Sequence, residues 1–410
     1  MQTRYLAPII QQVALDTDKM ALISGPRQAG KTTLAKQLLK ARGTGRYHNW
    51  DQVEFRRLWT RTPATALEVY PKPSGIRPVI VLVEIHKAPR WKQTLKGLYD
   101  TRSEPLDLVV TGSARLNVYQ RGGDSMAGRY RHFRLHPFSV AEATGNAPTT
   151  PDEFLRRLEN GDLPAHEEAS RTLATLLEYS GFPEPFLARN ARQAQLWRHH
   201  REEQVLREDL RDLSHVQDIA KAQVLAALLP ERVGSLFSRN SLREDVGVAF
   251  ETLDRWLRGL ELLYYLFEVR PYARRIARSL KKEGKLYLWD YASVPGAPAR
   301  FENLVASHLL KACHYWTDTG EGEFALWLLR DREKREIDFL ITREGKPWLP
   351  VEVKLNETRP ESAWHKFLPG LGCKLGLQLI QRSDHDPVAH RIGTTRVVIA
   401  DAARVLHRLV

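Results

Sequence analysis

Cysteine is almost absent: Cys313 and Cys373 are the only two in 410 residues, far apart and without partner spacing. That argues against a disulfide framework and a cysteine-based zinc site, and it fits a reducing cytoplasm. Long apolar runs are missing too. The longest candidate, Val79 to Val83, falls far short of the roughly 20 residues a membrane span needs, and the stretch before Met20, with Arg4 early, does not read as a signal peptide. No membrane partner is expected. Acidic residues are in deficit, 49 against 62 Lys and Arg, which leaves a net charge of +13 and a pI near 9.7. The excess favours an anionic partner, nucleic acid (DNA first) ahead of a membrane surface, with a basic surface serving only solubility as the alternative. The hydrophobic content of 42% suffices for packed cores, and the length calls for about two to four domains.

The strongest motif is Gly25-Pro26-Arg27-Gln28-Ala29-Gly30-Lys31-Thr32-Thr33, between the apolar run Met20-Ala21-Leu22-Ile23 and a helical pattern at Leu34, Leu38 and Leu39. Strand, glycine loop and helix in that order make a phosphate cradle: backbone N–H groups turn inward, and the helix N-terminus adds its partial positive charge. Gly25 to Thr33 are therefore the candidate ATP-binding loop. Lys31 would reach the β- and γ-phosphates, and Thr32 would offer its hydroxyl to Mg²⁺.

Strands and helices alternate after the loop. Arg46 to Asp51 reads as a strand, Gln52 to Trp59 as a helix, Val79 to Glu84 as a buried strand, Trp91 to Tyr99 as a helix and Leu106 to Ser113 as a strand. The pattern predicts a parallel α/β sheet with its ligand at the C-terminal strand ends. Glu84 is the candidate for orienting the attacking water, but Val83 stands where a P-loop ATPase carries the Asp that supports Mg²⁺. Nucleotide binding is expected; efficient hydrolysis is the open part. Thr111 and Ser113 end their strand beside the γ-phosphate position, and Arg115 and Arg129 are arginine-finger candidates, with surface arginines as the alternative.

Gly25 to Thr33, Glu84-Ile85-His86-Lys87-Ala88-Pro89-Arg90-Trp91, Thr111-Gly112-Ser113, Ser125 to Arg129, and Leu135-His136-Pro137-Phe138-Ser139 with Glu142 resemble a family of prokaryotic AAA-type ATPases whose C-terminal half is a domain of unknown function. The resemblance continues through Gly181 to Pro185 to the chain end. It implies ATP binding with Mg²⁺ and an AAA-type module of the kind that often assembles into homo-oligomers. Family members usually carry Asp where this chain has Val83.

The expected organisation is α/β multidomain: an AAA-type P-loop domain over 1–150, a helical lid or connector over 151–207, a winged helix-turn-helix over 208–290 and an α/β restriction-endonuclease-like domain over 291–410. In the third, Ser241 is read as an N-cap and Gly247 as the inter-helix turn. The second helix buries Leu253, Trp256, Leu257 and Leu260. Tyr264 to Val269 and Lys285 to Trp289 read as wing strands. Glu251, Asp254 and Glu261 on the would-be recognition helix repel phosphate, so DNA contact there competes with a packing role. The connection carries Arg270, Arg274, Arg275, Arg278, Lys281, Lys282 and Lys285, suited to phosphate contact or to a solvated loop.

In the last domain Glu302 sits at the edge of a helix, Asp338 in one strand-like run, and Glu352 and Lys354 in the next. Alternation puts Glu352 and Lys354 on one strand face, where Asp338 could join them. Asp338 and Glu352, with Glu302, could hold Mg²⁺, and Lys354 could orient or help deprotonate water. The set resembles the Asp, Glu-x-Lys constellation of the restriction-endonuclease-like superfamily. Two functions follow: ATP-gated nucleic-acid processing with nuclease chemistry, or a non-cutting nucleotide switch read by a DNA or protein partner. A transcriptional regulator acting through the helix-turn-helix alone ranks behind both.

Overall fold

The computed structural model describes residues 3–68, 76–112, 126–214, 218–273, 283–381 and 386–410. It divides into two compact units, Met1–Pro137 and Phe138–Val410. The segment 138–150 thus packs with the C-terminal part of the chain.

In the first unit α1 (Leu6–Val13) precedes β1 (Met20–Ser24), and α2 (Lys31–Arg42) follows the glycine loop. Leu34, Ala35 and Leu38 bury one face of α2. The helix stops at Gly43, whose left-handed conformation (φ 71°) lets its N–H bond back to Leu39 and Lys40. Next come β2 (Gly45–Asn49), α3 (Val53–Arg61), β3 (Val79–Val83), α4 (Trp91–Asp100), β4 (Asp107–Thr111) and β5 (Tyr130–Arg134). The sheet order is β2-β3-β4-β1-β5, every pairing parallel. On one face Met20, Leu22, Ile80, Leu82, Leu108 and Val110 alternate inward against Phe55 and Trp59 of α3 and Trp91, Leu95 and Tyr99 of α4.

The second unit opens with α5 (Val140–Ala143), α6 (Pro151–Asn160), α7 (Glu167–Tyr179), α8 (Pro183–Ala188) and α9 (Ala191–Glu203), which runs on through a π-helical stretch, Gln204–Leu210, to Arg211–Ser214. Then follow α10 (Ile219–Leu228), α11 (Arg239–Val246), α12 (Phe250–Leu262) and the antiparallel pair β6 (Leu266–Val269) and β7 (Lys285–Leu288). Gly247, at φ 69°, makes the turn between α11 and α12, and Leu253, Trp256, Leu257 and Leu260 are buried as the spacing predicts. The N-cap of α11 is Ser238 rather than Ser241; the Ser238 hydroxyl accepts the Ser241 N–H.

The 23-residue α13 (Ala297–Thr319) leads into β8 (Phe324–Arg330), β9 (Glu336–Arg343) and β10 (Lys346–Lys354), then α14 (Ala363–Leu371), β11 (Leu375–Ile380), β12 (Val388–Ile392), β13 (Thr395–Asp401) and α15 (Ala402–Leu406). The sheet order is β12-β13-β11-β10-β9-β8; β10 pairs with β9 antiparallel and with β11 parallel. Glu344 and Gly345 both take positive φ (51° and 70°), the pattern of a tight hairpin turn whose twist matches the flanking strands.

Ser139 and Glu142, set apart by the motif that ends in Phe138-Ser139, anchor the start of this unit. Ser139 caps α5 by accepting the Glu142 N–H, and the buried Lys311 ammonium of α13 bonds Ser139 Oγ at 2.9 Å and Glu142 Oε2 at 2.7 Å. One turn earlier, His308 Nδ1 donates to the Leu304 carbonyl and Nε2 accepts the Val140 N–H at 3.1 Å. That geometry needs a neutral ring. Burial, with Lys311 adding to it, pushes His308 down to about 4 from 6.5. Between those values the unfolded chain takes a proton that the folded one refuses, so stability falls as pH drops from 6.5 toward 4. We predict a loss of about 3 kcal/mol from this residue across that window, smaller in His308→Gln, measured by urea unfolding at both ends.

Candidate nucleotide site and carboxylate pocket

The glycine loop leaves the buried end of β1 through three positive-φ residues: Gly25 (150°), Gln28 (61°) and Gly30 (95°). A Cβ on Gly25 would run into the Leu135 carbonyl oxygen, so that position admits only glycine. Gln28 holds a conformation that non-glycine residues rarely take, of the kind found where a loop is shaped for a ligand. Gly30 caps α2, whose first N–H groups have no intrahelical partners. Lys31 folds back over the loop, its Nζ donating to the carbonyls of Gly25 (2.9 Å) and Pro26 (2.7 Å). Thr32 and Gln28 are exposed, Arg27 and Thr33 half-buried, and Ala29 buried.

Register fixes what borders this edge. Thr111 pairs with Ile23 on one side and Val83 on the other, so β1, β4 and β3 end together. Glu84, at φ 56°, follows directly, its N–H bonded to the Thr111 carbonyl at 2.8 Å. Its carboxylate lies 3.6 Å from His86 Nε2 and 3.7 Å from Lys87 Nζ. Val83 is buried and its side chain offers no oxygen. Arg129 lies elsewhere: it precedes β5, its carbonyl accepts the Met20 N–H at the start of β1, and its guanidinium clasps Asp100 at 2.6 and 2.9 Å. Five strand residues, about 16 Å, separate that edge from the loop, so Arg129 is not brought to the phosphates of its own site. Ser113 and Arg115 lie outside the described residues.

Sequence reasoning missed Arg4. It is 2% exposed, donates Nη1 to the Ala29 carbonyl and Nη2 to the His136 carbonyl at 2.7 Å, and its backbone N–H donates to Gln37 Oε1 at 3.2 Å. It braces the loop from beneath, and no local pattern announces that.

In the second unit the hairpin brings Asp338 opposite Glu352. The Asp338 N–H donates to Glu352 Oε2 (3.1 Å), and the Val353 N–H donates to Asp338 Oδ2 (3.0 Å). Lys354 Nζ pairs with Glu352 Oε1 at 2.9 Å and Glu361 at 3.2 Å. Asn303 clamps α13 to β7 by bonding both the N–H and the carbonyl of Leu288, which sets Glu302 beside Tyr287 and Lys285. The Lys285 ammonium then lies 3.0 Å from Glu302, 2.5 Å from Glu336 and 3.1 Å from Asp338 Oδ1.

Two expectations change here. Lys285 belongs to no solvated loop: it is 4% exposed, because its carboxylate partners lie inside the fold. Asp338 and Glu352, expected to hold Mg²⁺, meet internal cations and N–H groups instead. Their oxygens are engaged by Lys285, Lys354 and backbone N–H groups, and among the described residues no group of three or more His, Cys, Asp or Glu is arranged to hold a metal. Burial first, then the Asp338 charge, pushes Glu302 up to about 7 and Glu352 up to about 8, which weakens both as cation ligands near neutrality. Arg274, Arg275, Arg278, Lys281 and Lys282 lie outside the described residues, and Arg270 pairs with Glu268 at 3.1 Å.

Residues 17–144 match the model of a family described as an AAA domain. The N-terminal unit carries an AAA-type P-loop domain. Residues 170–295 and 299–384 match two further families, both described as domains of unknown function (DUF8612 and DUF4143). An uncharacterised protein of Mycobacterium tuberculosis is 23% identical over 394 residues, covering 94% of this chain and 80% of its own length. Another, from Haemophilus influenzae, is 24% identical and covers 85% of both chains. Among solved structures, the Walker-type ATPase of Pyrococcus abyssi matches at a TM-score of 0.42 and 13% identity, over 71% of this chain and 96% of its own. The Aeropyrum pernix ORC1 protein in complex with DNA matches at 0.30 and 14%, over 71% and 91%. Similarity at those scores does not fix a fold. No described helix is long and apolar enough to cross a membrane.

If Arg4 shapes the AAA-type loop, Arg4→Ala should lower stability by about 2 kcal/mol, because two backbone carbonyls lose a charged donor. It should also weaken binding of a fluorescent ATP analogue. Unchanged affinity alongside the stability loss would restrict Arg4 to packing.

Proposed function

We propose that the chain is a nucleotide-dependent switch: ATP with Mg²⁺ binds the 25–33 loop, turns over slowly, and its presence alters how the C-terminal unit engages DNA or a protein partner without cutting. One observation carries this reading. A phosphate-shaped loop stands beside a strand edge where Val83, in register with Thr111, replaces a carboxylate. Gly25, Arg27, Gln28, Ala29, Gly30 and Thr33 would surround the phosphates, and Lys31 would exchange the Gly25 and Pro26 carbonyls for phosphate oxygens. Exposed Thr32 would hold Mg²⁺, which on binding neutralises phosphate charge. Thr111 and Glu84 would border the γ-phosphate, with Glu84 short of the aspartate that usually works beside it.

The order helix, three antiparallel strands, helix, parallel strand over α13 to β11 supports the restriction-endonuclease-like reading. The three helices with the β6–β7 pair support the winged helix. The engaged Asp338, Glu352 and Lys354 favour reuse of that fold for binding over an active nuclease.

Equilibrium binding and turnover should separate the alternatives. Wild type is expected to bind ATP with Mg²⁺ and hydrolyse it slowly, Lys31→Ala to lose about a hundredfold in affinity, and Val83→Asp to raise turnover about tenfold. Brisk wild-type hydrolysis abolished by Glu84→Gln would defeat the switch.

A further inference from the structure

Arg201 is a charge that the second unit buries without pairing. It stands in the last turn of α9, 4% exposed, with its guanidinium 4.5 Å from the Phe182 ring centroid, 5.7 Å from that of Tyr265 and 5.8 Å from that of Trp197. Its side chain makes one hydrogen bond among the described residues, from Nη2 to the Tyr264 carbonyl at 3.0 Å, and Nε makes none. No ion pair of the described residues includes it, because the Asp290 carboxylate is taken by Arg198 Nε at 2.7 Å. A guanidinium so enclosed is costly to keep charged, and burial pulls the Arg201 pKa down while pushing up the carboxyl of its neighbour Glu202.

Arg201 and Glu202 both border a cavity of about 240 Å³, shared with Arg198, Asp290 and Tyr265 and walled on its apolar side by Ala226, Ala227 and Pro230. That volume lies just below the ~300 to 1,000 Å³ of drug-sized sites, so its occupant is a smaller molecule. Neither the Glu202 carboxylate nor the Tyr265 hydroxyl has an ion-pair or hydrogen-bond partner among the described residues. Directly beyond Glu203 the helix widens into the π-helical stretch Gln204–Leu210, a geometry frequent at functional sites.

We infer that this cavity binds a small zwitterion, a free α-amino acid with an aliphatic side chain, whose carboxylate meets Arg201 and Tyr265 and whose ammonium meets Glu202. The charges select that class. Arg198 and Asp290 cancel each other, which leaves one unmatched positive group and one unmatched negative group on the lining. A plain carboxylate or phosphate would answer Arg201 and set a second negative charge against Glu202; an amine would do the reverse. An apolar molecule would answer neither. An α-amino acid carries both charges at one end and its side chain at the other, which matches a cavity with charged groups on α9 and small apolar residues on α10 and the turn after it. Arginine also suits the carboxylate, since its planar fork keeps donors besides the one given to Tyr264. The site uses no part of the nucleotide loop, so it stands or falls apart from ATP binding.

The test titrates the full chain, without nucleotide, with valine, leucine and isoleucine by calorimetry, each beside its deaminated and its decarboxylated analogue, with thermal unfolding followed in parallel. At least one of the three amino acids should bind at about one equivalent and raise the unfolding temperature, and its single-charge analogues should bind at least about tenfold more weakly. Glu202→Gln should lose about tenfold in affinity, and Ala227→Trp, which narrows the exposed side of the cavity without removing a charge, should abolish binding. The inference is overturned if none of the three binds wild type, if the analogue lacking the ammonium binds as tightly as its parent, or if either folded variant keeps wild-type affinity. Should Ala227→Trp fail to fold, Glu202→Gln, at a half-buried position with no partner to lose, decides by itself.

Discussion

Burying an ammonium is costly unless oxygens surround it, and much of this chain is organised around meeting that demand. Among the described residues three lysines are buried: Lys31, Lys285 and Lys311. Each is held differently. Lys311 finds Ser139 and Glu142 and pins the start of the second unit to α13. Lys285 finds three carboxylates and ties the β6–β7 pair to α13 and β9. Lys31 has only backbone carbonyls of its own loop among the partners described, a weaker match than a phosphate.

That contrast separates structure from function. Lys285 and Lys311 face full charges in fixed positions, so nothing is gained by releasing them. The Gly25 and Pro26 carbonyls that Lys31 meets are neutral groups, and a triphosphate offers more charge at the same place. A nucleotide bound as proposed would therefore compete with neutral partners at Lys31, while the carboxylates around Lys285 already face an internal ammonium. Val83 extends the contrast: the edge that would receive a nucleotide keeps Glu84 and Thr111 but lacks the second carboxylate.

What the sequence disclosed followed from local rules. The glycine spacing located the loop because positive φ at Gly25 and Gly30 leaves few other residues possible, and the alternation of Val79–Val83 and Asp107–Thr111 with helices gave the parallel sheet. The α11–α12 turn and the β9–β10 hairpin were legible from Gly247 and Gly345 in the same way. Arg4 and Lys285 were not, since their partners lie at Ala29, His136, Glu302, Glu336 and Asp338, and no periodicity encodes a contact between distant segments. Lys285 was hidden further by its basic neighbours in sequence, which made one buried charge look like part of a solvated run.

The central claim is that nucleotide occupancy, not cutting, changes what the chain holds. Anisotropy titration of a labelled DNA duplex with the full chain, empty and saturated with ATP and Mg²⁺, tests it directly. The account predicts affinities that differ by about fivefold or more between the two states, with the duplex recovered at full length. Equal affinity in both states, or a shortened duplex, would contradict it.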